Sequence, residues 1–166
     1  MKIYLVGFMG AGKSTVGRLL AEKLGYEHID IDKYIEQSEG CCIAQIFEKK
    51  GEEYFRNLES QKLRELSEKD NLVISTGGGL GAKLENMEFM KSQGIVVWLD
   101  VHIYTVFERC KDDDSRPLLK KGHEFVRELY EKRKSVYSLA NIHIDTNHKY
   151  PEVVVGDILL KLFVKK

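Results

Sequence analysis

Residues 7–14 read Gly-Phe-Met-Gly-Ala-Gly-Lys-Ser, and these eight residues indicate the fold class. Before it, the apolar residues 3–6 (IYLV) are typical of a buried strand; after it, valine and leucine recur at helical spacing over residues 16–24. A G-x-x-x-x-G-K-[ST] match between a strand and a helix predicts a loop that wraps phosphate groups with its backbone N–H groups. The glycines permit that wrapping, and the following helix presents its positive end to the same oxygens.

This loop predicts ATP or GTP binding but does not identify a second substrate. Lys13 can reach the β- and γ-phosphates, and the Ser14 hydroxyl can take a Mg²⁺ position. The alternative is a tight turn that needs glycine for its geometry alone, and the flanking strand and helix favour the phosphate loop. We therefore assign binding of the phosphates of ATP or GTP to the following residues: Gly10, Ala11, Gly12, Lys13, Ser14 and Thr15.

Short apolar runs alternate with helical patterns along the rest of the chain. Residues 72–74 and 95–99 carry no charge, as expected of parallel strands buried on both faces, and weaker strands are predicted at 28–31 and 142–145. Residues 155–162 repeat apolar side chains at helical spacing. The alternation predicts an α/β sheet with helices on both faces.

The composition limits the classes of function. Among 166 residues there are 26 basic and 26 acidic side chains, and a net charge of zero argues against a broad nucleic-acid surface. No stretch approaches the roughly 20 apolar residues of a membrane span, so we expect no membrane partner and a cytoplasmic protein. Cys41, Cys42 and Cys110 fit neither a disulfide framework nor a zinc site. No partner-binding stripe stands out, so a monomer is expected.

Two carboxylates follow the predicted second strand. Asp30 and Asp32 stand at i and i+2, and their side chains would point the same way if the strand continued through them. Ligands bind at the carboxyl ends of strands in open α/β sheets, so one carboxylate can serve Mg²⁺ and the other an acceptor hydroxyl. The alternative is that Asp32 is the N-cap of the helix that follows it.

Two further motifs belong to the same region. Arg56 and Glu59 lie at i and i+3 of a predicted helix, where the alternative is a surface ion pair worth at most about 1 kcal/mol. Residues 76–79 (TGGG) follow the third strand, and they predict a close backbone approach, with a flexible turn as the alternative. P-loop proteins usually carry an acidic Mg²⁺ residue at the end of this strand. Since Ser-Thr stands there instead, Asp30 is the candidate for that role.

The ordered motifs resemble those of the shikimate kinases over nearly the whole chain. They are GFMGAGKSTVG, HIDID, CIAQIF, EYFRNLE, STGGG, RPLL and RKSVYSLA. The resemblance implies a three-layer α/β/α P-loop kinase fold with a central, mainly parallel five-stranded sheet, similar to that of nucleoside monophosphate kinases. It also implies ATP-dependent phosphorylation of the shikimate 3-hydroxyl in aromatic amino acid (chorismate) biosynthesis. Mg²⁺ is the implied cofactor, and ATP and shikimate are the implied small-molecule partners.

The same resemblance implies an organisation and a set of site residues. One domain spans residues 1–166, with a substrate-binding helical insert at about 32–60 and a mobile lid at about 111–122. Lys13, Asp32 and the lid residue Arg116 are the implied catalytic residues; Asp32 also binds the acceptor hydroxyls, and Arg116 the phosphates of ATP. The remaining implied residues are Ser14 and Asp30 for Mg²⁺; Arg56, Arg133, Gly77, Gly78 and Gly79 for the shikimate carboxylate; Phe47 and Phe55 for the pocket walls; and Arg109 and Pro151 beside the adenine.

The sequence departs from the family pattern at one place, and two other functions share some of its features. The family pattern R-x-P-L-Y becomes Arg-Lys-Ser-Val-Tyr over residues 133–137, which affects the expected local shape and leaves the arginine intact. A gluconate or nucleoside monophosphate kinase would share the loop and size, and the ordered DxD, FRxxE and GGG set favours shikimate over them. A nucleotide-dependent switch protein is the rival from another class. The sequence lacks the DxxG and NKxD runs that such a protein would carry.

Overall fold

The computed structural model describes residues 1–110 and 122–164, and a parallel β-sheet lies at its centre. The strands are β1 (Lys2–Val6), β2 (Glu27–Asp30), β3 (Leu72–Ser75), β4 (Ile95–Asp100) and β5 (Ile142–Asp145). Their order across the 5-stranded sheet is β2-β3-β1-β4-β5, and each neighbouring pair is parallel. The predicted parallel sheet is therefore confirmed.

Helices flank this sheet. They are α1 (Lys13–Leu24), α2 (Ile31–Glu39), α3 (Ile43–Glu65), the one-turn α4 (Gly78–Gly81), α5 (Leu84–Gln93), α6 (Ile103–Cys110), α7 (His123–Tyr137) and α8 (Pro151–Phe163), with a 3₁₀ turn at Leu66–Glu68. α1 packs against α8, and α5 packs against α7. This is the α/β/α arrangement of a P-loop kinase, as predicted.

Burial explains why the central strands carry uninterrupted apolar sequence. Every residue of β1 and of β3 is buried, because helices cover the strands and a neighbouring strand lies on each side. Parallel strands with both faces covered have no solvent face on which polar residues would alternate. The segments that follow β1, β2 and β3 leave the same edge of the sheet from three adjacent strands, and that edge carries the candidate site.

The boundary between β2 and α2 differs from the sequence prediction. We expected the strand to run through residue 31, but β2 ends at Asp30 and Ile31 is the first residue of α2. Ile31 is fully buried, so its apolar side chain is used by the helix rather than by the sheet. Short apolar runs do not distinguish a strand end from a buried helix start.

The helical content predicted between the second and third strands is present, and it is interrupted between α2 and α3 and again within α3. α3 breaks at Gly51, whose φ of 87° and ψ of 166° are not helical. A φ in this range is adopted readily by glycine alone. The break divides α3 into two segments, and the second segment carries Arg56 and Glu59. The predicted lid lies, except for Gly122, outside the described residues.

Over residues 1–110 and 122–164, no helix is both long enough and apolar enough to cross a membrane.

Candidate active site

The phosphate loop joins β1 to α1 in the conformation that its glycines allow. Gly10 and Gly12 have φ values of 80° and 86°, in the left-handed region. The Lys13 ammonium group lies over the loop and donates to the carbonyls of Gly7 at 2.7 Å and Phe8 at 3.1 Å. Lys13 is therefore held directly above the concave backbone that would receive phosphate oxygens.

A polar network of side chains from β2 and β3 holds the start of α1 next to this loop. The sequence pattern did not predict it. The Ser75 hydroxyl, at the end of β3, donates to the backbone carbonyl of Lys13 at 2.8 Å, and His28 Nε2 lies 2.9 Å from the same hydroxyl. A β-carbon on Gly17 would collide with both side chains, approaching His28 Nε2 to 2.7 Å. Burial lowers the pKa of His28. Ser75 thus stands where an acidic residue was expected and anchors the start of α1.

Asp30 links the phosphate loop to α2. Its Oδ2 accepts a hydrogen bond from the Ser14 hydroxyl, and its Oδ1 accepts from the backbone N–H of Lys33 at 3.3 Å. Asp30 is therefore the N-cap of α2. The alternative that assigned this cap to Asp32 is wrong, because Asp32 lies inside the first turn of the helix.

Asp32 is directed into the site with one oxygen unpaired. Its Oδ1 is buried and has no hydrogen-bond partner among the described residues. Burial, with a contribution from the charge of Asp30, raises the pKa of Asp32 to about 6, although Lys13 and Arg56 oppose the shift. A buried carboxylate oxygen without a donor is costly unless a ligand supplies one, and a hydroxyl group is such a donor.

Arg56 and Glu59 form an ion pair that is not a surface pair. Arg56 Nη1 donates to Glu59 Oε1 at 2.8 Å, and Arg56 also bonds Glu52 at 3.3 Å. Glu59 is 1% exposed, and its Oε2 has no partner among the described residues. Burial raises the pKa of Glu59 to about 7 despite the nearby Arg56. The alternative that Arg56 and Glu59 form a surface ion pair is therefore wrong.

Glycine is required at the three positions after β3 because a larger residue would collide with neighbouring side chains. A β-carbon on Gly77 would lie 2.9 Å from both carboxylate oxygens of Asp32, and one on Gly78 would lie 2.9 Å from Arg133 Nη1. On Gly79 it would overlap the Arg56 guanidinium. None of the three has a φ in the left-handed region. The predicted close backbone approach is present, and the flexible-turn alternative does not describe this segment.

These groups line one cleft of about 530 Å³ at the carboxyl edge of the sheet. Phe47 and Phe55 form an apolar wall, with ring centroids 5.1 Å apart, and the Arg56 guanidinium lies 5.4 Å from the Phe55 ring. Arg133, from α7, is 9% exposed and lies 5.7 Å from the Phe8 ring. Burial lowers the pKa of Arg133, which leaves a cation poorly solvated by water. The phosphate loop thus lies in the same cleft as the two arginines.

Arg109 and Pro151 are not among the residues that line this cleft. Arg109 donates to the carbonyl of Gly10 at 2.6 Å and to that of Thr146 at 3.1 Å, so it ties the phosphate loop to the segment after β5. Pro151 is the first residue of α8, a position that suits its missing N–H. Arg116 lies outside the described residues.

Few protein groups are placed to hold a metal. Within the described ranges, no cluster of three or more His, Cys, Asp or Glu side chains could bind one. Ser14 and Asp30 together offer a hydroxyl and a carboxylate on adjacent oxygens. Mg²⁺ in phosphoryl-transfer sites usually takes one or two protein oxygens and completes its shell with water and phosphate, so this pair fits that ion.

The arrangement defines what the cleft can do chemically. At one end a lysine and a helix N-terminus attract phosphate oxygens. In the middle Asp32 offers an acceptor for a hydroxyl, and at the far end two arginines offer forked donors for a carboxylate. The cleft therefore suits transfer of a phosphoryl group to a small anion that bears hydroxyls.

Comparison with known proteins gives consistent matches. The protein-family model described as "Shikimate kinase" matches residues 9–163. A protein named shikimate kinase from Persephonella marina is 58% identical over 157 residues, covering 95% of this chain and 96% of the relative. One with the same name from Aquifex aeolicus is 52% identical over 162 residues, covering 98% and 96% of the two chains.

Solved structures agree with these matches. The structure of shikimate kinase from Acinetobacter baumannii in complex with shikimate superposes with a TM-score of 0.94 at 42% identity, covering 99% of this chain and 94% of that one. Deoxyadenosine kinase from M. mycoides with bound dATP has a TM-score of 0.66 at 21% identity, covering 98% and 99% of the two chains. The second likeness concerns the fold alone.

Proposed function

The chain belongs to the shikimate kinase family, and from that premise we infer that it transfers the γ-phosphoryl group of ATP to the 3-hydroxyl of shikimate. The products are shikimate 3-phosphate and ADP, and the reaction belongs to aromatic amino acid (chorismate) biosynthesis. The observation that carries the inference is that one cleft contains a phosphate loop, a carboxylate with an unpaired oxygen, and two arginines. Shikimate is a small carboxylate with hydroxyl groups, which is the acceptor that this set of groups matches.

The acceptor would be held at both ends. Arg56 and Arg133 would donate to its carboxylate, and the backbone of residues 77–79 would close around it. The insert at about 32–60 would supply Asp32 and Arg56 as well as the apolar wall of Phe47 and Phe55. Charge-assisted bonds of this kind contribute about 1.5–3 kcal/mol each, so two arginines can position a small substrate against the phosphate loop.

Positioning and charge would account for most of the rate enhancement. Lys13 would exchange its bonds to the carbonyls of Gly7 and Phe8 for bonds to phosphate oxygens. Asp32 would accept from the 3-hydroxyl and hold its oxygen in line with the γ-phosphorus. A loose phosphoryl transition state demands little proton removal before bond formation, so orientation of the hydroxyl is the main task of Asp32.

We propose Mg²⁺ as the cofactor, with the Ser14 hydroxyl as one ligand and the Asp30 carboxylate acting directly or through water. When bound, the ion would neutralise charge on the β- and γ-phosphate oxygens. Asp30 would then give up its bond to the Ser14 hydroxyl while its other oxygen continued to cap α2.

The test is ADP release by the purified chain with MgATP and each of shikimate, gluconate, a nucleoside monophosphate panel, or no acceptor. Release that depends on shikimate supports the proposal, and Lys13→Ala should abolish it. Lys23→Ala, at the opposite end of α1, is the matched control and should retain activity. Release with another acceptor, or without any, would overturn the assignment of shikimate.

A further inference from the structure

A buried phenol joins two of the groups that face the substrate carboxylate. The Tyr137 hydroxyl donates to the backbone carbonyl of Gly78 at 2.6 Å, and the Arg133 guanidinium lies beside the same residue. Tyr137 is 1% exposed, and its ring packs at 6.2 Å between centroids against Trp98 of β4. One side chain anchored in the core therefore bonds the Gly78 backbone at the point that Arg133 also borders.

The Gly78 carbonyl depends on this phenol because the local backbone does not use it in the regular way. In a continuous helix the N–H of Ala82 would donate to Gly78, but it donates to the carbonyl of Gly79 at 3.2 Å. A half-buried carbonyl without this donor would lose a hydrogen bond, so the phenol fixes the plane of the Gly78–Gly79 peptide.

The phenol also lies close to Arg133. Arg133 and Tyr137 lie four residues apart on α7, so they are neighbours on one face of the helix. A β-carbon on Gly78 would lie 2.9 Å from Arg133 Nη1 and 3.5 Å from the phenol oxygen, so both groups border the same peptide. Burial raises the pKa of Tyr137 above its ordinary value, so the hydroxyl keeps its proton and donates to Gly78.

We propose that Tyr137 is a positioning residue for the substrate carboxylate, holding the Arg133 guanidinium and the Gly78 peptide in one relative geometry. It does not touch the reacting atoms. Its contribution is to remove rotational freedom from an arginine before the substrate binds, which lowers the entropic cost of binding. The proposal rests on the proposed function, since it requires an acceptor with a carboxylate.

Tyr137→Phe tests this proposal, because the change removes one oxygen and keeps the ring against Trp98. We expect about a tenfold rise in KM for shikimate, equivalent to about 1.4 kcal/mol, with kcat within about twofold of the wild type and no change in KM for ATP. Tyr130→Phe is the matched control. Tyr130 lies on the same helix, is 8% exposed, and donates to the carbonyl of Val101 at 2.8 Å, away from the carboxylate end of the cleft.

A neutral analogue separates positioning from loss of structure. With the methyl ester of shikimate, which lacks the charge, Tyr137→Phe should change KM far less than with the acid. An equal rise for acid and ester, or a rise in Tyr130→Phe as large as in Tyr137→Phe, would show a merely structural role and overturn the proposal. An unchanged KM for shikimate would do the same. If the wild type does not phosphorylate shikimate, the proposed function itself fails, and the reference measurement reveals that separately.

Discussion

The carboxylates of Asp32 and Glu59 approach the same point from two different helices. A β-carbon on Gly77 would lie 2.9 Å from both oxygens of Asp32 and 3.0 Å from Oε2 of Glu59. Burial raises the pKa of both carboxyl groups; the charge of Asp30 adds to the shift of Asp32, and the charge of Asp32 adds to the shift of Glu59. Arg56 bonds Glu59, but no described donor reaches Oδ1 of Asp32. The pair therefore makes both activity and stability depend on pH.

Activity should fall as the pH is lowered through about 6. Ionised Asp32 is the stronger acceptor for the hydroxyl, because protonation removes its charge and places an O–H donor on the carboxyl group, and burial raises its pKa to about 6. We expect kcat/KM for shikimate to rise between pH 5 and 7.5 with an apparent pKa near this value, measured under conditions where ATP saturates. A flat profile over this range would contradict the role of Asp32.

Asp32→Asn should lower turnover and stabilise the fold. An acid whose pKa is raised on folding binds protons more tightly in the folded state. Proton binding therefore stabilises the fold fully at a pH below the unfolded pKa, and this stabilisation is lost as the pH rises through about 6. At pH 7.5 the ionised side chain therefore opposes folding. Asparagine removes that charge, and we expect a gain on the order of 1–2 kcal/mol, or about 2–8 °C in Tm.

Thermal unfolding at pH 5 and pH 7.5 checks this prediction, because the gain should shrink at the lower pH. Asp157→Asn is the control: it breaks a partly exposed ion pair with Lys149 and should change stability by less than about 1 kcal/mol. A lower Tm for Asp32→Asn at pH 7.5 would argue against the sign of the effect.

Arg56→Lys should weaken binding of the acceptor while preserving charge. A lysine cannot bond Glu59 and a carboxylate at once with the fixed fork of arginine, so we expect KM for shikimate to rise at least tenfold. Arg64→Lys lies two turns further along α3 and faces Phe89, outside the cleft. It should leave KM unchanged, and equal effects from the two variants would contradict the assignment of the clamp.

Gly79→Ala should act through Arg56. The new methyl group would occupy the position of the Arg56 guanidinium and displace it from the cleft. We expect a large rise in KM for shikimate. Binding of ATP, measured by titration calorimetry, should be near normal. Gly156→Ala, in α8, meets no atom within 4 Å and should stabilise the helix by roughly 0.5–1 kcal/mol without affecting activity. Normal shikimate binding by Gly79→Ala would refute the spatial argument.

Asp30→Asn should raise the Mg²⁺ concentration needed for half-maximal activity. Asparagine caps a helix about as well as aspartate, so α2 should remain intact and the effect should isolate the charge near the metal. Titration of MgCl₂ at fixed ATP would measure the shift, with KM for shikimate as the internal control. An unchanged requirement for Mg²⁺ would remove Asp30 from the proposed site.

The sequence predicted those features that local pattern encodes. The phosphate loop needs only a strand, eight residues and a helix, and the buried strands follow from uninterrupted apolar runs. The roles of Asp32, Arg56 and Arg133 came from the family resemblance, and they stay predictions, as do the single domain, the lid and the monomeric state. Tertiary burial was not predictable: Glu59 reads as a surface charge but is 1% exposed.

One error and one omission have different origins. Asp30 caps α2 instead of Asp32 because β2 ends one residue earlier than its apolar pattern indicates. The network of Ser75, His28 and Gly17 joins three elements that are distant along the chain, and no short motif announces it. Contacts of this kind depend on strand order, which the sequence pattern left open.

The strand order has a consequence for how the protein is made. β3 lies between β1 and β2, although α1 connects β1 directly to β2, so the first two strands are joined in the sheet only when residues 72–75 pair with both of them. A nascent chain that has left the ribosome only as far as β2 contains the whole phosphate-binding motif but lacks both the strand that joins β1 to β2 and the Ser75 hydroxyl that anchors α1. Non-local pairing of this kind is slow to form and exposes strand edges while it is incomplete. Nucleotide can therefore begin to protect the chain from misfolding only after the third strand has emerged, well after the motif itself has been translated.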